Sequence, residues 1–285
     1  MELKLGLIGM SIGASRAPSL HCMLGNIYGA QVSYDLNDPG KNSPIMFGVT
    51  LQRLREEGYT GCNVTYPFKQ IAMQFVDHAD EAATTVGATN TLYFKDKKVV
   101  ATNTDYSGFI HGYRHRRGDS PAGDTLLIGA GGVGRAVAFG LAKVGGTKVY
   151  IYDLNVADAQ SLSDALNNAG ICAEVIAEVQ LADTAKKVDG LVNCTPVGHL
   201  KTPGNPLDAT LFGGQEWAFD AVYTPIDTEF LKAAHQAGLA LVSGFDLFYY
   251  QGIDAYQFFS QSQIEPLAAL VPFKAKFDIH SELID

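Results

Sequence analysis

The sequence contains few of the residues that mark several large classes of protein. Only four cysteines occur among 285 residues, and no two of them form a C-x-x-C pair. We therefore expect free thiols instead of a disulfide framework or a metal site. The 21 lysines and arginines are outnumbered by 30 aspartates and glutamates, so the formal net charge is -9. An acidic chain without a long basic run does not favour nucleic acid as the main partner.

Long apolar runs are absent as well. No stretch approaches the ~18 residues that a membrane-spanning helix needs. The N-terminal sequence MELKLGLIG does not combine a basic start, an apolar run and a small-residue cleavage site. These absences predict a cytoplasmic protein with no membrane partner. The densest basic stretch, which contains Arg114, Arg116 and Arg117, is interpreted as the exposed end of a helix.

The chain has enough apolar side chains, at 47% hydrophobic residues, for one large or two medium domains. Short apolar segments alternate with segments of helical period, which is typical of a parallel α/β sheet. Strands are predicted at residues 4–9, 31–36, 61–65, 125–128, 148–153, 173–176, 190–193, 217–222 and 239–242. Helices are predicted at residues 18–28, 45–57, 71–76, 81–86, after the strand at 125–128, and in the chain from 246 onward. Residues 91–105 predict a β-hairpin, and the polar segment 114–124 is the predicted linker between domains.

The clearest motif is G-x-G-x-x-G, formed by Gly129, Gly131 and Gly134 between a predicted strand and a predicted helix. Asp153 ends the next strand, 19 positions past the last glycine and near the spacing of about 20 found in dinucleotide-binding units. The glycines permit a tight turn and a close backbone approach to a pyrophosphate, which the N–H groups at the helix start then bind. Asp153 suits a ribose 2′-hydroxyl and repels a 2′-phosphate, and residues 152–156 contain no lysine or arginine. The motif therefore predicts NAD instead of NADP, although the same pattern without a ligand would be a glycine turn in a sheet.

A lysine and an aspartate are candidates for the chemistry. A nicotinamide cofactor implies hydride transfer, and oxidation of an alcohol also needs a base for the hydroxyl proton. Lys69 lies in GCNVTYPFKQ just past a predicted strand, and Asp105 lies in ATNTDYSG at the end of another. Ligands of open parallel sheets bind at the strand C-termini, so the two side chains are expected to meet there. A carboxylate would orient the lysine and favour its charged form. Read alone, Lys69 would be a surface lysine.

Several ordered blocks resemble the shikimate dehydrogenase family nearly from end to end. GCNVTYPFKQ resembles G-x-N-V-T-x-P-x-K, GATNTL resembles G-A-x-N-T, and TNTDYSGF resembles N-T-D-x-x-G-F. GAGGVGRA, NCTPVGH, AVYTPIDT and the glutamine-bearing helix near the end follow in family order. The resemblance implies an α/β fold with an N-terminal, mostly parallel substrate domain, a Rossmann NAD-binding domain and an active-site cleft between them. The implied ranges are 1–108, 109–245 and 246–285, and the last of these returns to the substrate domain.

The resemblance also implies roles for individual residues. Lys69 would be the acid/base group at the ring hydroxyl, and Asp105 would bind a neighbouring hydroxyl and orient Lys69. Four residues would bind or surround the ring hydroxyls: Thr65, Asn90, Thr104 and Gln251. The substrate carboxylate is assigned to Ser15 and Tyr223. The phosphates and the adenosine ribose of the dinucleotide are assigned to Gly129, Ala130, Gly131, Gly132, Val133, Gly134, Asp153, Leu154 and Asn155. Its nicotinamide side is assigned to Thr195, Val222, Gly244 and Leu247.

Two departures from the family pattern concern the substrate and the cofactor. The family opening G-x-P-I-x-H-S-x-S-P reads GMSIGASRAP here, so Ser15 is kept, the second serine is Ala17 and the histidine is Ala14. Loss of one hydrogen bond to a carboxylate costs about 1.5–3 kcal/mol, which predicts weaker binding of shikimate or a different carboxylated ring. Biosynthetic members carry an Asn-Arg-Thr-like pattern for the 2′-phosphate, where this chain reads Asp-Leu-Asn at 153–155. The chain thus resembles the NAD-using quinate/shikimate branch.

The predicted function is reversible oxidation of a ring hydroxyl of shikimate or quinate to the 3-dehydro ketone, with NAD, by a monomer or homodimer. One alternative is a dehydrogenase of aminoshikimate or another cyclic hydroxy carboxylate, which Ala17 favours. Another is a metabolite-binding regulator without turnover, which the presence of both Lys69 and Asp105 disfavours. A folate-linked dehydrogenase of the same layout is disfavoured by the Asn-Thr-Asp block.

Single residues also have simpler interpretations. Asn90 would serve equally as a turn cap, and Tyr223 as a packing aromatic before a turn. His21 and His199 are interpreted as packed or loop histidines and not as general bases.

Overall fold

The structure is a computed structural model, and it describes residues 1–284. The chain forms two compact units. Unit 1 contains Met1–Ser107 and Tyr249–Ile279, and unit 2 contains Gly108–Phe248 and the last residues from His280. Within the described residues, no helix is both long and apolar enough to cross a membrane.

Unit 1 is built on a mixed six-stranded sheet. Its strands are β1 (Glu2–Ile8), β2 (Gln31–Asn37), β3 (Gly61–Val64), β4 (His78–Ala79), β5 (Thr91–Lys95) and β6 (Lys98–Thr102). They lie in the order β2-β1-β3-β5-β6-β4, and β5 is antiparallel to both β3 and β6. The helices of this part are α1 (Ala17–Tyr28), α2 (Pro44–Glu56), a 3₁₀ helix at Ile71–Phe75, and α3 (Glu81–Val86). Helix α4 (Thr104–Arg117) begins in unit 1 and continues in unit 2.

Unit 2 is built on a parallel six-stranded sheet. Its strands are β7 (Gly123–Ile128), β8 (Gly146–Tyr152), β9 (Ala173–Val175), β10 (Gly190–Asn193), β11 (Trp217–Asp220) and β12 (Ala240–Ser243). The order β9-β8-β7-β10-β11-β12 is the 3-2-1-4-5-6 order of dinucleotide-binding sheets, which confirms the predicted Rossmann fold. The remaining α-helices are α5 (Gly132–Lys143), α6 (Val156–Asn168), α7 (Leu181–Ala185), α8 (Glu229–Gln236), α9 (Gly244–Ser260) and α10 (Leu270–Lys276). Short 3₁₀ helices cover Glu178–Gln180 and Ala209–Leu211, and α9 carries the chain back into unit 1.

The central strands of both sheets consist of residues that are buried on both faces of the sheet. All four residues of β3 and of β10 are buried, as expected for short apolar strands covered by helices on each side. Every predicted strand is present with its ends shifted by at most two residues, and the predicted hairpin is β5 and β6. The predicted helices are present too, except that residues 71–75 form a 3₁₀ helix.

The predicted linker over residues 114–124 is wrong. Helix α4 continues to Arg117, and β7 already begins at Gly123. The basic helix end is exposed only in part. Arg114 is exposed, but the Arg117 guanidinium lies 5.6 Å from the ring centroid of Trp217 and its side chain is only 6% exposed. Arg116 pairs at 3.0 Å with the buried carboxylate of Asp246. A cation over an aromatic ring and a buried ion pair hold this segment as structure of unit 2.

Candidate active site

Strand directions in unit 1 bring the ends of two strands to one edge of the sheet. Strands β3 and β6 both run antiparallel to β5, so they run in the same direction. Lys69 follows β3 and Asp105 follows β6, and the Lys69 Nζ lies 2.5 Å from the Asp105 Oδ2. The two side chains are only 10% and 8% exposed. The structure therefore joins these residues as a buried ion pair, and Lys69 is not a surface lysine.

The backbone at residues 88 and 89 fixes both members of the pair. The N–H of Thr89 donates to the carbonyl of Lys69 at 2.9 Å. The Asn103 side chain donates to the carbonyl of Ala88 at 2.8 Å, and its amide oxygen accepts from an N–H of the first turn of α4. Asp105 lies in that first turn, so one short segment positions the lysine and the carboxylate together.

Three predicted substrate residues also meet in unit 1. The Asn90 amide oxygen accepts a hydrogen bond from the Thr104 N–H at 2.7 Å, and its Nδ2 donates to the Thr104 Oγ1 at 2.9 Å. The same Nδ2 lies 3.4 Å from the Gln251 Oε1. Asn90 and Thr104 are almost fully buried, whereas Gln251 is half-buried. Because Thr104 precedes Asp105, these amide and hydroxyl groups adjoin the ion pair along the chain.

Sequence reasoning missed the polar side chains behind Asn90. Asn63 donates to the Thr91 Oγ1 at 3.0 Å, and that hydroxyl donates to the Asn90 Oδ1 at 3.1 Å. The Tyr34 hydroxyl donates to the Asn63 Oδ1 at 2.8 Å. Asn63 stands in a buried strand of the GCNVT block, and a polar residue there is the signal that could have identified it, because buried amides need partners.

The other predicted substrate residues lie in three separate segments of the chain. Ser15 is half-buried before α1, and its Oγ accepts from the N–H of Ala17 at 3.3 Å. Thr65 is half-buried directly after β3, with its backbone N–H bonded to the carbonyl of Ile8 at 2.9 Å. Tyr223 belongs to unit 2, where its ring stacks on Phe248 at a centroid distance of 4.8 Å.

The glycine loop of unit 2 has the geometry of a phosphate-binding turn. Gly129 has a φ of 102°, and a Cβ there would lie 2.8 Å from the carbonyl carbon of Cys194. A Cβ on Gly134 would lie 1.9 Å from the carbonyl oxygen of Gly129, so α5 packs against the loop only because residue 134 is glycine. A Cβ on Gly131, the N-cap of α5, would meet open space. Free space beside an uncapped helix start fits a pyrophosphate group.

The acidic residue after β8 is tied to this loop. The Asp153 carboxylate accepts from the N–H of Ala130 at 2.7 Å and from the N–H of Asn155 at 2.8 Å. Leu154 is 88% exposed, and Asn155 caps α6 through its side chain. Gly132 and Val133 form the half-buried first turn of α5. The carboxylate is therefore held at a fixed position next to the turn.

The residues predicted for the nicotinamide side all belong to unit 2. Thr195 donates through its N–H and its Oγ1 to the Asn193 Oδ1, at 2.9 and 2.7 Å. Val222 and Leu247 are buried, at 7% and 6% exposed. A Cβ on Gly244 would lie 2.4 Å from the carbonyl oxygen of Ala221, so α9 starts in close contact with the loop after β11.

A buried carboxylate that the sequence analysis did not single out lies at the end of β11. Asp220 is fully buried and accepts from the Asn193 Nδ2 at 2.9 Å, the Val222 N–H at 2.9 Å and the Thr228 Oγ1 at 2.6 Å. Burial raises the pKa of Asp220 to about 7, against the opposite effect of the hydrogen bonds from Thr228, Val222 and Asn193. Its signal in the sequence is an aspartate that ends an apolar strand.

The histidines agree with their interpretation. His21 is 1% exposed and its ring stacks on Tyr34 at 5.0 Å. His199 lies in a loop, where its Nδ1 accepts from the N–H of Lys201 at 3.1 Å. In the described part of the chain, no three His, Cys, Asp or Glu side chains converge as a metal site requires.

A Rossmann sheet with its glycine loop, joined in one chain to an α/β unit with a buried lysine–aspartate pair, defines a two-unit α/β dehydrogenase. A family model described as the shikimate dehydrogenase substrate binding domain matches residues 7–92. The quinate/shikimate dehydrogenase (NAD(+)) of Corynebacterium efficiens is 35% identical over 271 residues, which cover 91% of this chain and 93% of that protein. On these grounds the chain belongs to the shikimate dehydrogenase family.

Two further relatives show the range of cofactors named in the family. The shikimate dehydrogenase (NADP(+)) of Pseudarthrobacter chlorophenolicus is 33% identical over 270 residues, covering 92% of this chain and 91% of that protein. The solved structure of quinate dehydrogenase from Corynebacterium glutamicum in complex with NAD matches with a TM-score of 0.89 and 31% identity, over 96% of this chain and 100% of that one.

Proposed function

We propose that the protein oxidises a ring hydroxyl of shikimate or quinate to the 3-dehydro ketone, reversibly and with NAD. The buried pair of Lys69 and Asp105 is the observation that carries this proposal. Burial of an ion pair carries a desolvation penalty of several kcal/mol, which a role in the reaction would explain. A lysine beside buried amide and hydroxyl groups is suited to proton transfer. The relatives named quinate/shikimate dehydrogenase (NAD(+)) support the same substrate class.

The residues of unit 1 account for the proton. In the oxidation direction, the Lys69 Nζ accepts the proton that the ring hydroxyl gives up. In the reduction direction, the Lys69 ammonium returns a proton to the ketone oxygen. Asp105 orients the Nζ and accepts from a neighbouring hydroxyl, while Asn90 and Thr104 bind the remaining hydroxyls.

The residues of unit 2 account for the cofactor. The loop at Gly129 and Gly131 and the start of α5 would hold the pyrophosphate, and the nicotinamide, when bound, supplies the hydride acceptor. Asp153 would hold the adenosine ribose. In this assignment unit 1 binds the substrate and unit 2 binds the dinucleotide. Cytoplasmic location and a monomeric or homodimeric state stay predictions.

NAD is expected to be the preferred cofactor. The Asp153 carboxylate is fixed by two backbone N–H groups and cannot turn away from a 2′-phosphate, and the exposed Leu154 offers that phosphate no positive charge. Initial rates with shikimate, quinate and aminoshikimate should show turnover with NAD at least about tenfold faster than with NADP, a difference of ~1.4 kcal/mol.

A matched variant separates charge repulsion from shape. Asp153→Asn removes the charge and keeps one acceptor oxygen for the loop, so its rate with NADP should rise relative to its rate with NAD. Equal rates of the wild type with both cofactors would contradict the role of Asp153 and leave the substrate assignment standing. Absence of turnover with all three acids would contradict the proposed substrates.

The position of Ala17 predicts a weak point in carboxylate binding. Ala17 begins α1, two residues after Ser15, where the family pattern has a second serine. Ala17→Ser should lower the dissociation constant of shikimate by about tenfold or more, because a hydrogen bond to a charged group is worth about 1.5–3 kcal/mol. Isothermal titration calorimetry measures the change, and Ala14→Ser serves as the control for an added hydroxyl in the same loop. Tightening by both variants equally, or by neither, would show that residue 17 does not face the carboxylate.

A further inference from the structure

The strand ends of unit 2 share one buried polar centre. Asp220 ends β11, Asn193 ends β10, and the Asn193 Nδ2 donates to the Asp220 Oδ1 at 2.9 Å. Both side chains are fully buried. Neither has been assigned a part in the reaction, and their hydrogen bonds reach the two loops after β10 and β11, at the edge of the sheet where a Rossmann unit binds its cofactor.

Asn193 shapes the loop after β10. Its Oδ1 accepts from the N–H and the Oγ1 of Thr195, and its Nδ2 also donates to the carbonyl of Val197 at 3.0 Å. The Thr195 Oγ1 in turn accepts from the Val197 N–H at 3.2 Å. The same loop touches the glycine turn, because a Cβ on Gly129 would lie 2.9 Å from the Thr195 nitrogen. The position of Thr195 therefore depends on Asn193.

Asp220 shapes the loop after β11. Its Oδ1 accepts from the Val222 N–H, and its Oδ2 accepts from the Thr228 Oγ1 at 2.6 Å. One carboxylate thus holds both ends of residues 220–228, the segment that carries Val222 and Tyr223. The Thr228 Oγ1 also accepts from the N–H of Leu231 and so caps α8, which anchors the far end of the segment.

We propose that Asp220 and Asn193 are positioning residues that hold Thr195 and Val222 in place for the nicotinamide. This inference rests on the proposed function, because it needs unit 2 to bind NAD. Two backbone hydrogen bonds join the loops after β10 and β11: the Ala221 N–H donates to the Asn193 carbonyl at 2.8 Å, and the Leu200 N–H donates to the Thr224 carbonyl at 3.2 Å. The side-chain pair supplies the remaining link, and groups that line a reacting centre must be held within about 0.5 Å.

The experiment compares three variants by NADH fluorescence titration and by steady-state rates with NAD. Asp220→Ala removes all three acceptor bonds and should raise the dissociation constant of NADH and lower kcat, each by about tenfold or more. Asp220→Asn keeps an oxygen for Asn193 and Val222, while the Thr228 hydroxyl can accept from the new amide, so both values should stay within about threefold of wild type. Asn193→Ala removes the other partner and should change the NADH dissociation constant and kcat in the same directions. It therefore tests the inference even if Asp220→Ala does not fold.

A core variant controls for loss of stability. Val188 is buried before the start of β10, at the opposite end of that strand from Asn193. Val188→Ala should lower the thermal midpoint and leave the NADH dissociation constant unchanged. If Asp220→Ala and Asn193→Ala behave like Val188→Ala, the pair is only structural and the inference is overturned. If Asp220→Asn loses as much NADH affinity and kcat as Asp220→Ala, the hydrogen-bond assignment is overturned. A wild type that does not bind NADH would overturn the proposed function itself.

Discussion

Lys69→Arg is expected to lower kcat by about 10²- to 10⁴-fold while shikimate still binds within a few-fold of wild type. The guanidinium keeps the charge and the partner Asp105, but its pKa lies far above neutral in proteins, so it neither takes nor gives a proton at neutral pH. Charge at residue 69 is retained and proton transfer is lost. Steady-state rates with NAD, together with calorimetric titration of shikimate, separate the two effects.

Lys69→Ala should show the same loss of kcat with an additional loss of stability. Removal of one member of a buried ion pair leaves the other charge unpaired, which costs about 3–5 kcal/mol. Lys98 provides a matched control, because it is an exposed lysine of the same unit that lies near His78. Lys98→Ala should leave kcat unchanged. Turnover of Lys69→Arg within threefold of wild type would contradict the role of Lys69. A wild type that binds shikimate without any reduction of NAD would favour the alternative of a metabolite-binding regulator without turnover.

Much of the fold could be predicted because its signals are local. The strands are short apolar runs, and the turn between β7 and α5 needs glycine at 129 and 134 because a Cβ would strike backbone atoms. The spacing of Asp153 follows from the length of one strand–helix–strand unit. Each of these features lies within about 30 residues of sequence, the length of one strand–helix–strand unit, so local pattern and spacing are enough to predict it.

The features that were missed depend on residues far apart in the chain. The Arg117 guanidinium lies over the ring of Trp217, 100 positions later, and no local pattern shows that contact. The pair Asp220 and Asn193 is separated by 27 positions and becomes a unit only when β10 and β11 lie side by side. The same holds for Asn63 and Thr91 behind Asn90. Polar residues at the ends of buried strands are the general signal that a closer reading of the sequence could use.

The stability of unit 1 is expected to fall steeply as the pH drops from about 6.5, because of His21. Burial lowers the pKa of His21 to about 3, and an interaction with Asn63 only partly opposes this effect. Its ring lies among Tyr34, Tyr256 and Phe259. The folded state therefore keeps the neutral imidazole, while the unfolded chain binds a proton below the ordinary pKa of 6.5. The unfolded state binds more protons between about pH 6.5 and 3, so stability is present above this window and is lost as the pH falls through it.

The expected loss from this one group is about 2 kcal/mol between pH 7.5 and pH 5, which is a large part of a typical stability of about 5–15 kcal/mol. Amide hydrogen exchange of peptides from α1 and β2, corrected for the intrinsic pH effect, follows unit 1 directly, whereas the fluorescence of the single tryptophan, Trp217, follows unit 2. His21→Phe should remove most of the pH dependence of exchange in α1 and β2, whatever its effect on absolute stability. His235→Gln, at an exposed histidine of α8, should retain it. An unchanged pH dependence in His21→Phe would mean that a different group governs the acid lability of unit 1.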